Sequence, residues 1–244
     1  MELLANVLRW FASAEAWAGS GIEPGIIVRL YEHMTMSFQS VGLAALLVLP
    51  LGLYVGHTSR FGAAVVSIGN LARALPSFGI LGIFFALLID VPGTLGFWPT
   101  FVALVFLAIP PILTNTYIGI NGVDVDTVES ARAMGMTERQ ILLQIELRLG
   151  APLIVAGLRL AAVQVVATAT LGAVAAWGGL GRYIVDGFAA GDDVQLVAGA
   201  ILVAAVAVVT ELSFGLLERV ATPHSASDRT KPARGSTRML PREN

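Results

Sequence analysis

The stretch NGVDVDTVESARAMGMTERQILLQIELRLG, residues 121–150, is the only sizeable polar segment between long apolar runs, and its reading decides how the rest of the chain is placed. Its local signals predict two short helices. Asp126 followed three residues later by Glu129 has the spacing of a capping box, and Thr137 followed by Gln140 repeats it. Gly135 between them suits a left-handed helix end, where a Cβ is penalised. The first helix places Val125, Val128, Ala131 and Arg132 at helical spacing, and the small side chains of Ala131 and Ala133 let another surface come close. Such a face serves a docking partner or, equally, an ordinary loop helix packed on its own bundle. Pattern alone leaves both readings open.

On either side of this segment the composition is that of a membrane protein. Of 244 residues 56% are hydrophobic and 13% charged, with a mean hydropathy of +0.77, against roughly 45–50% apolar in an average soluble domain. Spans able to cross ~30 Å of hydrocarbon are read at residues 34–56, 61–89, 98–120, 152–176 and 194–217. The second contains Asn70, Arg73 and Pro76, so it is either one kinked span or a short helix followed by residues 77–89. An all-α membrane protein of five or six transmembrane helices follows.

Basic residues near span ends mark the cytoplasmic side. Arg60, Arg132, Arg139 and Arg148 place residues 121–150 inside, and Arg219, Arg229, Lys231, Arg234, Arg238 and Arg242 place the C-terminus there too. Residues 90–99 and 177–193, on the opposite side, hold only Arg182. With five crossings the N-terminus lies outside, although Arg9 and Arg29 pull the other way. Residues 221–244, rich in Pro, Ser, Thr and Arg, are expected to form a disordered cytoplasmic tail.

Residues 1–32 form an N-terminal segment without the basic start and clean apolar run of a cleaved signal peptide. Leu3, Leu4, Val7, Leu8 and Phe11 fall on one helical face near Trp10 and Trp17, which fits an amphipathic helix in the membrane interface or a loosely ordered tail. A net charge of -2 gives no field suited to nucleic acid. With Cys 0, thiol catalysis and thiolate metal sites are excluded. His33, His57 and His224 are scattered, so no metal site is predicted, and no set of Ser, His and Asp shares a location that would make a catalytic centre.

Glu129, Ser130 and Ala131, then Gly135, then Ile145 and Leu147 resemble, in identity and spacing, the EAA loop of ABC importer permeases. Two positions depart from that pattern. Ser130 replaces the second Ala, and Arg148 replaces the usual Pro, which moves the expected helix break toward Pro152. The resemblance extends over residues 33–220 and narrows to importers of osmoprotectants, glycine betaine, choline or proline, with actinobacterial members looking most similar. Arg73-Ala74-Leu75-Pro76-Ser77, Ile109-Pro110-Pro111-Ile112-Leu113, Asn115-Thr116-Tyr117 and Gly178-Gly179-Leu180-Gly181 carry the narrowing.

That resemblance implies a type I, MetI-like permease fold, multi-pass in the bacterial plasma membrane, with the loop and C-terminus cytoplasmic. Glu129, Ser130, Ala131, Gly135, Ile145 and Leu147 would then couple the chain to a separate ABC ATPase. ATP and Mg would sit on that ATPase, and this chain would bind no cofactor and catalyse no reaction. A second permease subunit, identical or homologous, and an extracytoplasmic solute-binding protein complete the implied set of partners.

Other candidates come from the residues themselves. Gly178, Gly179 and Gly181 are not followed by Gly-Lys-Ser/Thr, so a phosphate loop is excluded; irregular backbone at membrane depth instead fits a gate at the outer mouth of a translocation path. Arg73, Arg159 and Glu211 lie in apolar spans, where a charge faces a partner, a cavity or the headgroups. Arg73, beside Asn70 and Pro76, is the path candidate, and Arg159 and Glu211 are expected to snorkel. Asn115 and Thr116 line a path or bond to neighbouring helices, the latter fitting better. Trp98 and Trp177 suit an aromatic belt, or stacking on a choline-like cation.

The rival function classes make different demands. A secondary transporter or channel working without ATP predicts internal repeats or paired intramembrane charges and no coupling loop. A membrane enzyme needs convergent polar groups at one depth. DNA binding through the helix-turn-helix-like loop fails because the loop lies between spans and carries Glu129, Glu138 and Glu146 among its bases.

Overall fold

Breaks in the apolar runs set the elements. The computed structural model describes residues 2–21, 23–74, 76–94 and 96–221, with the side chains of residues 66, 68, 70, 72–74 and 219–221 set aside. Helices α1 (Glu2–Ala12) and α2 (Ala14–Ala18) are followed by α3 (Ile26–Thr58), α4 (Gly62–Ala74), α5 (Ser77–Leu88) and α6 (Phe97–Asn121). The polar segment carries α7 (Val125–Ala133) and α8 (Glu138–Ile141). A π-helical turn (Leu142–Glu146) leads without interruption into α9 (Leu147–Thr168), which ends in a 3₁₀ turn (Ala169–Ala173). Helices α10 (Gly181–Ala190) and α11 (Asp193–Ala221) close the described chain. Of the tail predicted over residues 221–244, Ala221 ends α11 and the rest lies outside the described residues.

Among the described residues, four helices are long and apolar enough to cross a membrane: Ile26–Thr58, Phe97–Asn121, Glu138–Ala173 and Asp193–Glu218. The second predicted span is broken, and it resolves as a short helix followed by another. Pro76 takes an extended conformation (φ -65°, ψ 122°) as the cap of α5, because a proline ring denies a helix one hydrogen bond and biases the preceding residue away from it. Helix α4 starts beside Tyr117 near the end of α6, and α5 packs Leu81 on Ala103 near its beginning. The two halves therefore run the length of α6 as one broken crossing.

Two boundaries differ from expectation. The first span begins at Ile26, not near residue 34, which brings Arg29, Glu32 and His33 into α3. No break occurs after Leu147, and Pro152 sits inside α9. It lies in the second turn of α9, just after the π segment has already displaced the regular bonding. Of the two readings offered for the N-terminal segment, a helix forms over Glu2–Ala12. It buries Val7 and packs Trp10 and Phe11 near Leu202, Val203 and Val206 of α11, while Leu4 and Leu8 stay exposed.

Helix α6 is the hub, in contact with α3, α4, α5 and α9, while α11 packs on α9, α10 and α1. Apolar helices in lipid gain little from hydrophobicity alone, so close van der Waals approach at small residues decides their packing. A Cβ added at Gly52 would stand 2.8 Å from Thr116, one at Gly157 2.7 Å from Cβ of Asn115, and one at Gly150 2.7 Å from the Gly119 carbonyl oxygen. Around these contacts lies the core of Met36, Val48, Leu104, Ala108, Ile112, Ala161 and Val165.

The bundle has two ends. The loop end gathers the C-termini of α3 and α6 with α7, α8 and the π turn; the turn end gathers the N-termini of α3 and α6 with residues 176–181 and α10.

Candidate functional site

At the loop end, residues 123–145 fold around a core of their own. Asp124 caps α7 by accepting the Asp126 N–H at 2.8 Å. The cap thus lies two residues before the predicted Asp126–Glu129 box, since α7 already begins at Val125 and Asp126 is inside its first turn. Gly135 has φ +83°, and its N–H reaches the Arg132 carbonyl at 2.9 Å while Met136 N–H reaches that of Ala131 at 3.2 Å. This paired bonding is the Schellman ending that a left-handed glycine permits. The predicted box at Thr137 and Gln140 forms in both directions.

Val128, Ala131 and Ile141 are buried together, with Val123, Met136 and Ile145 packed around them. Val128 and Ala131 therefore face the loop's own interior, the second of the two readings that the pattern left open for them. A two-helix hairpin needs an inner face, and the small Ala131 lets α8 approach. The motif residues divide accordingly. Ala131, Gly135 and Ile145 build the hairpin, Leu147 is half-buried, and Glu129 and Ser130 are exposed beside Val125 (66% exposed) and Met134 (76%).

The hairpin is tied to the spans by charge. His57, in the last turn of α3, brings Nδ1 within 2.6 Å of Glu146 Oε2 and Nε2 within 3.2 Å of Glu138 Oε2. Glu146 is only 4% exposed. Arg132 grips Glu138 with Nε at 2.8 Å and Nη2 at 3.0 Å, and this hydrogen bond pushes the guanidinium above its usual range. The π turn positions Glu146, with Leu147 N–H donating to the Leu142 carbonyl five residues back. Local spacing held no sign of this cluster, because His57 and Glu146 are 89 positions apart.

At the turn end, Gly179 takes φ +82° and donates its N–H to Glu32 at 2.7 Å. Glu32 also pairs with Arg29 at 3.0 Å. A Cβ at Gly178 would collide with the Glu32 carboxylate, and one at Gly181 with the Thr170 carbonyl. His33 lies beneath the turn with Nε2 2.9 Å from the Val166 carbonyl. Sequence reasoning singled out the three glycines but missed Glu32 and His33, which enter because α3 starts early.

The other predicted residues separate. Asn115 donates to the Pro111 carbonyl at 2.8 Å and Thr116 to that of Ile112 at 2.7 Å, so both bond within α6 and pack against the glycines of α9 and α3. The side chain of Arg73 lies outside the described residues. Arg159 and Glu211 do not snorkel apart. Arg159 holds Glu211 at 2.8 Å and Glu218 at 2.7 Å, because two carboxylates on one face of α11 bracket the guanidinium. Trp177 packs edge-on against Phe97 with centroids 5.1 Å apart, and Trp98 is half-exposed beside it.

The family model described as binding-protein-dependent transport system inner membrane component matches residues 48–222. The chain is 35% identical over 198 residues to the choline transport system permease protein OpuBB of Bacillus subtilis, covering 81% of this chain and 89% of that one. It is 35% identical to the carnitine transport permease protein OpuCB of Listeria monocytogenes, covering 81% and 88%. The osmoprotectant import permease protein OsmW of Salmonella typhimurium is 28% identical, with 79% and 90% covered. In fold, the chain superposes on a chain of the inward-facing MetNI methionine ABC transporter with a TM-score of 0.69 at 23% identity, covering 81% and 96%.

Proposed function

This chain belongs to the family of binding-protein-dependent transport system inner membrane components, and we propose that it is the permease subunit through which an ATP-driven importer carries a compatible solute of the glycine betaine, choline, carnitine or proline class. The solute class rests on the relatives and on the sequence resemblance. The observation that supports the coupling role is the hairpin of α7 and α8. It has its own core and caps, and it presents exposed Val125, Glu129, Ser130 and Met134 at the loop end. Exposed apolar side chains among polar ones, on a short helix held by its own core, are the kind of surface a partner can dock against.

In this reading the loop end is cytoplasmic and docks a separate ABC ATPase, on which ATP and Mg are held. A second permease subunit encloses the path with this one, and an extracytoplasmic binding protein delivers solute at the turn end. The backbone of Gly178 and Gly179 against Glu32, and of Gly181 against Thr170, forms part of the outer gate. Asn115 and Thr116 act as packing positions between helices, and Arg73 stands near the break between α4 and α5.

Affinity purification of the chain in mild detergent, followed by mass spectrometry and an ATPase assay, tests this directly. The expected result is an ABC ATPase co-purifying and hydrolysing ATP. Uptake of radiolabelled choline, glycine betaine, carnitine and proline into cells expressing the complex then identifies the solute. Gly135→Asp should abolish import at normal membrane levels of the chain. Normal import by that variant, or solute flux through the solitary chain without ATP, would overturn the reading in favour of an ATP-independent transporter.

A further inference from the structure

Three parts of the chain meet at His57: the hairpin through Glu138, the first long span through α3 itself, and the start of α9 through Glu146. None of these three residues belongs to the loop motif. We propose that His57 is a positioning residue for coupling, whose imidazole joins the hairpin to α3 so that displacement of the loop moves the first long span. The inference rests on the reading of this loop as the ATPase-docking segment.

The two arms of the bridge differ in a way that suits transmission. Glu146 is buried and 2.6 Å from Nδ1, whereas the Glu138 side chain is 56% exposed and 3.2 Å from Nε2. Each ring nitrogen lies within ion-pairing distance of a different carboxylate, and the Glu146 contact also has hydrogen-bond geometry. The buried arm fixes His57 to the base of α9, and the exposed arm continues through Arg132 into α7. A pull on α7 thus has a continuous polar route to α3.

Backbone geometry is arranged around the same contact. Ile141 and Glu146 are both buried although five positions apart, Ile141 in the hairpin core and Glu146 against His57. A regular α-helix advances about 100° per residue, so it would rotate one of the two away when the other faced inward. The π turn supplies the five-residue step, and such turns recur at functional positions because they are less favourable than the α-helix they interrupt. Beyond it, Gly150, Ile154, Gly157 and Ala161 resume the three- and four-residue spacing of a buried α-helical face. On α3 the neighbouring Gly56 sits against Ile120 of α6, so a load on His57 passes into the central helix pair.

The test uses the assembled importer in proteoliposomes. Import and ATP hydrolysis are measured on the same sample for the parent, His57→Gln and Glu138→Gln, with whichever of radiolabelled choline, glycine betaine, carnitine or proline the parent imports. The amide introduced by His57→Gln carries its donors on one nitrogen, where the ring presents two separate nitrogens to the two carboxylates. The expected result is assembly and hydrolysis within about twofold of the parent, with solute imported per ATP falling about tenfold for His57→Gln and about threefold for Glu138→Gln, as coupling energies between sites allow. A contact that served folding alone would lower complex yield, hydrolysis and import together, and an unchanged import-to-ATP ratio in His57→Gln would overturn the proposal. Should that variant fail to assemble, an unchanged ratio in Glu138→Gln, whose side chain is solvent-exposed, overturns it instead. A parent complex that recovers no ATPase defeats the docking reading and this inference with it; a coupled parent with unaltered variants defeats this inference alone.

Discussion

The loop end and the turn end of the bundle hold their irregular segments by opposite means. At the loop end side chains do the holding: the apolar core of Val128, Ala131 and Ile141, and the series of charges from Arg132 through Glu138 and His57 to Glu146. At the turn end the absence of side chains does it, since Gly178 and Gly181 let α3 and the end of α9 come against bare backbone and Gly179 offers its N–H to Glu32. The exposed pair of Arg132 and Glu138 can exchange partners at small cost, while buried Glu146 anchors the far end of the series. Backbone packed against backbone has nothing to exchange. The first arrangement suits a segment that is pushed, the second a segment that keeps its shape while its surroundings move.

Substitutions should separate the two ends, and the largest effect belongs to the turn. Gly181→Val sets a branched side chain against the Thr170 carbonyl, where backbone must shift, and should cost at least about 3 kcal/mol, at the upper end of overpacking effects. Thermal unfolding of the purified chain in detergent reads this as a large fall in midpoint, and a midpoint near the parent's would show that the turn yields. Next comes Glu32→Ala, which leaves the Gly179 N–H without its acceptor and should cost about 1.5–3 kcal/mol, typical of a hydrogen bond to a charged group. Glu32→Gln keeps a carbonyl acceptor and should cost less in the same experiment; equal losses would mean that charge, not the bond to Gly179, is what matters there.

Effects at the loop end should be smaller and local. Gly135→Ala must hold an alanine at φ +83°, at a cost of roughly 1–2 kcal/mol for a left-handed residue with a Cβ. Protease cleavage between α7 and α8 should accelerate while the unfolding midpoint of the spans stays put; a fall in both would join the hairpin to the spans' cooperative unit. Arg132→Ala should have the smallest effect, below about 0.5 kcal/mol, because its pair with Glu138 is solvent-exposed. A larger loss in the same protease assay would show that the charge series acts as a network.

Much of this arrangement was legible in residue order. The apolar runs gave the long spans, and Pro76 marked the break between α4 and α5. The hairpin was readable because its signals are short-range: Gly135 and the Thr137–Gln140 box act within a few residues of themselves. The first cap was misplaced because Asp124 and Asp126 are chemically equivalent caps, and only the start of α7 at Val125 chooses between them. The orientation of Val128 and Ala131 stayed open for a related reason. Helical spacing defines a face, but what that face meets is set by the second helix.

What the sequence by itself determined is the class of protein, its spans, and the hairpin with its two helix-ending signals, because hydropathy, capping and proline chemistry act over one helix or less. Only the tertiary structure decided the pairs that give the ends their character: Glu32 with Gly179, His57 with Glu146, and Arg159 with Glu211 and Glu218. Their members lie far apart in the chain, and no propensity of a single residue encodes its partner. Each pair exists because helices packed at small residues bring charges from distant segments together, and for Glu146, 4% exposed, burial makes the counterpart obligatory.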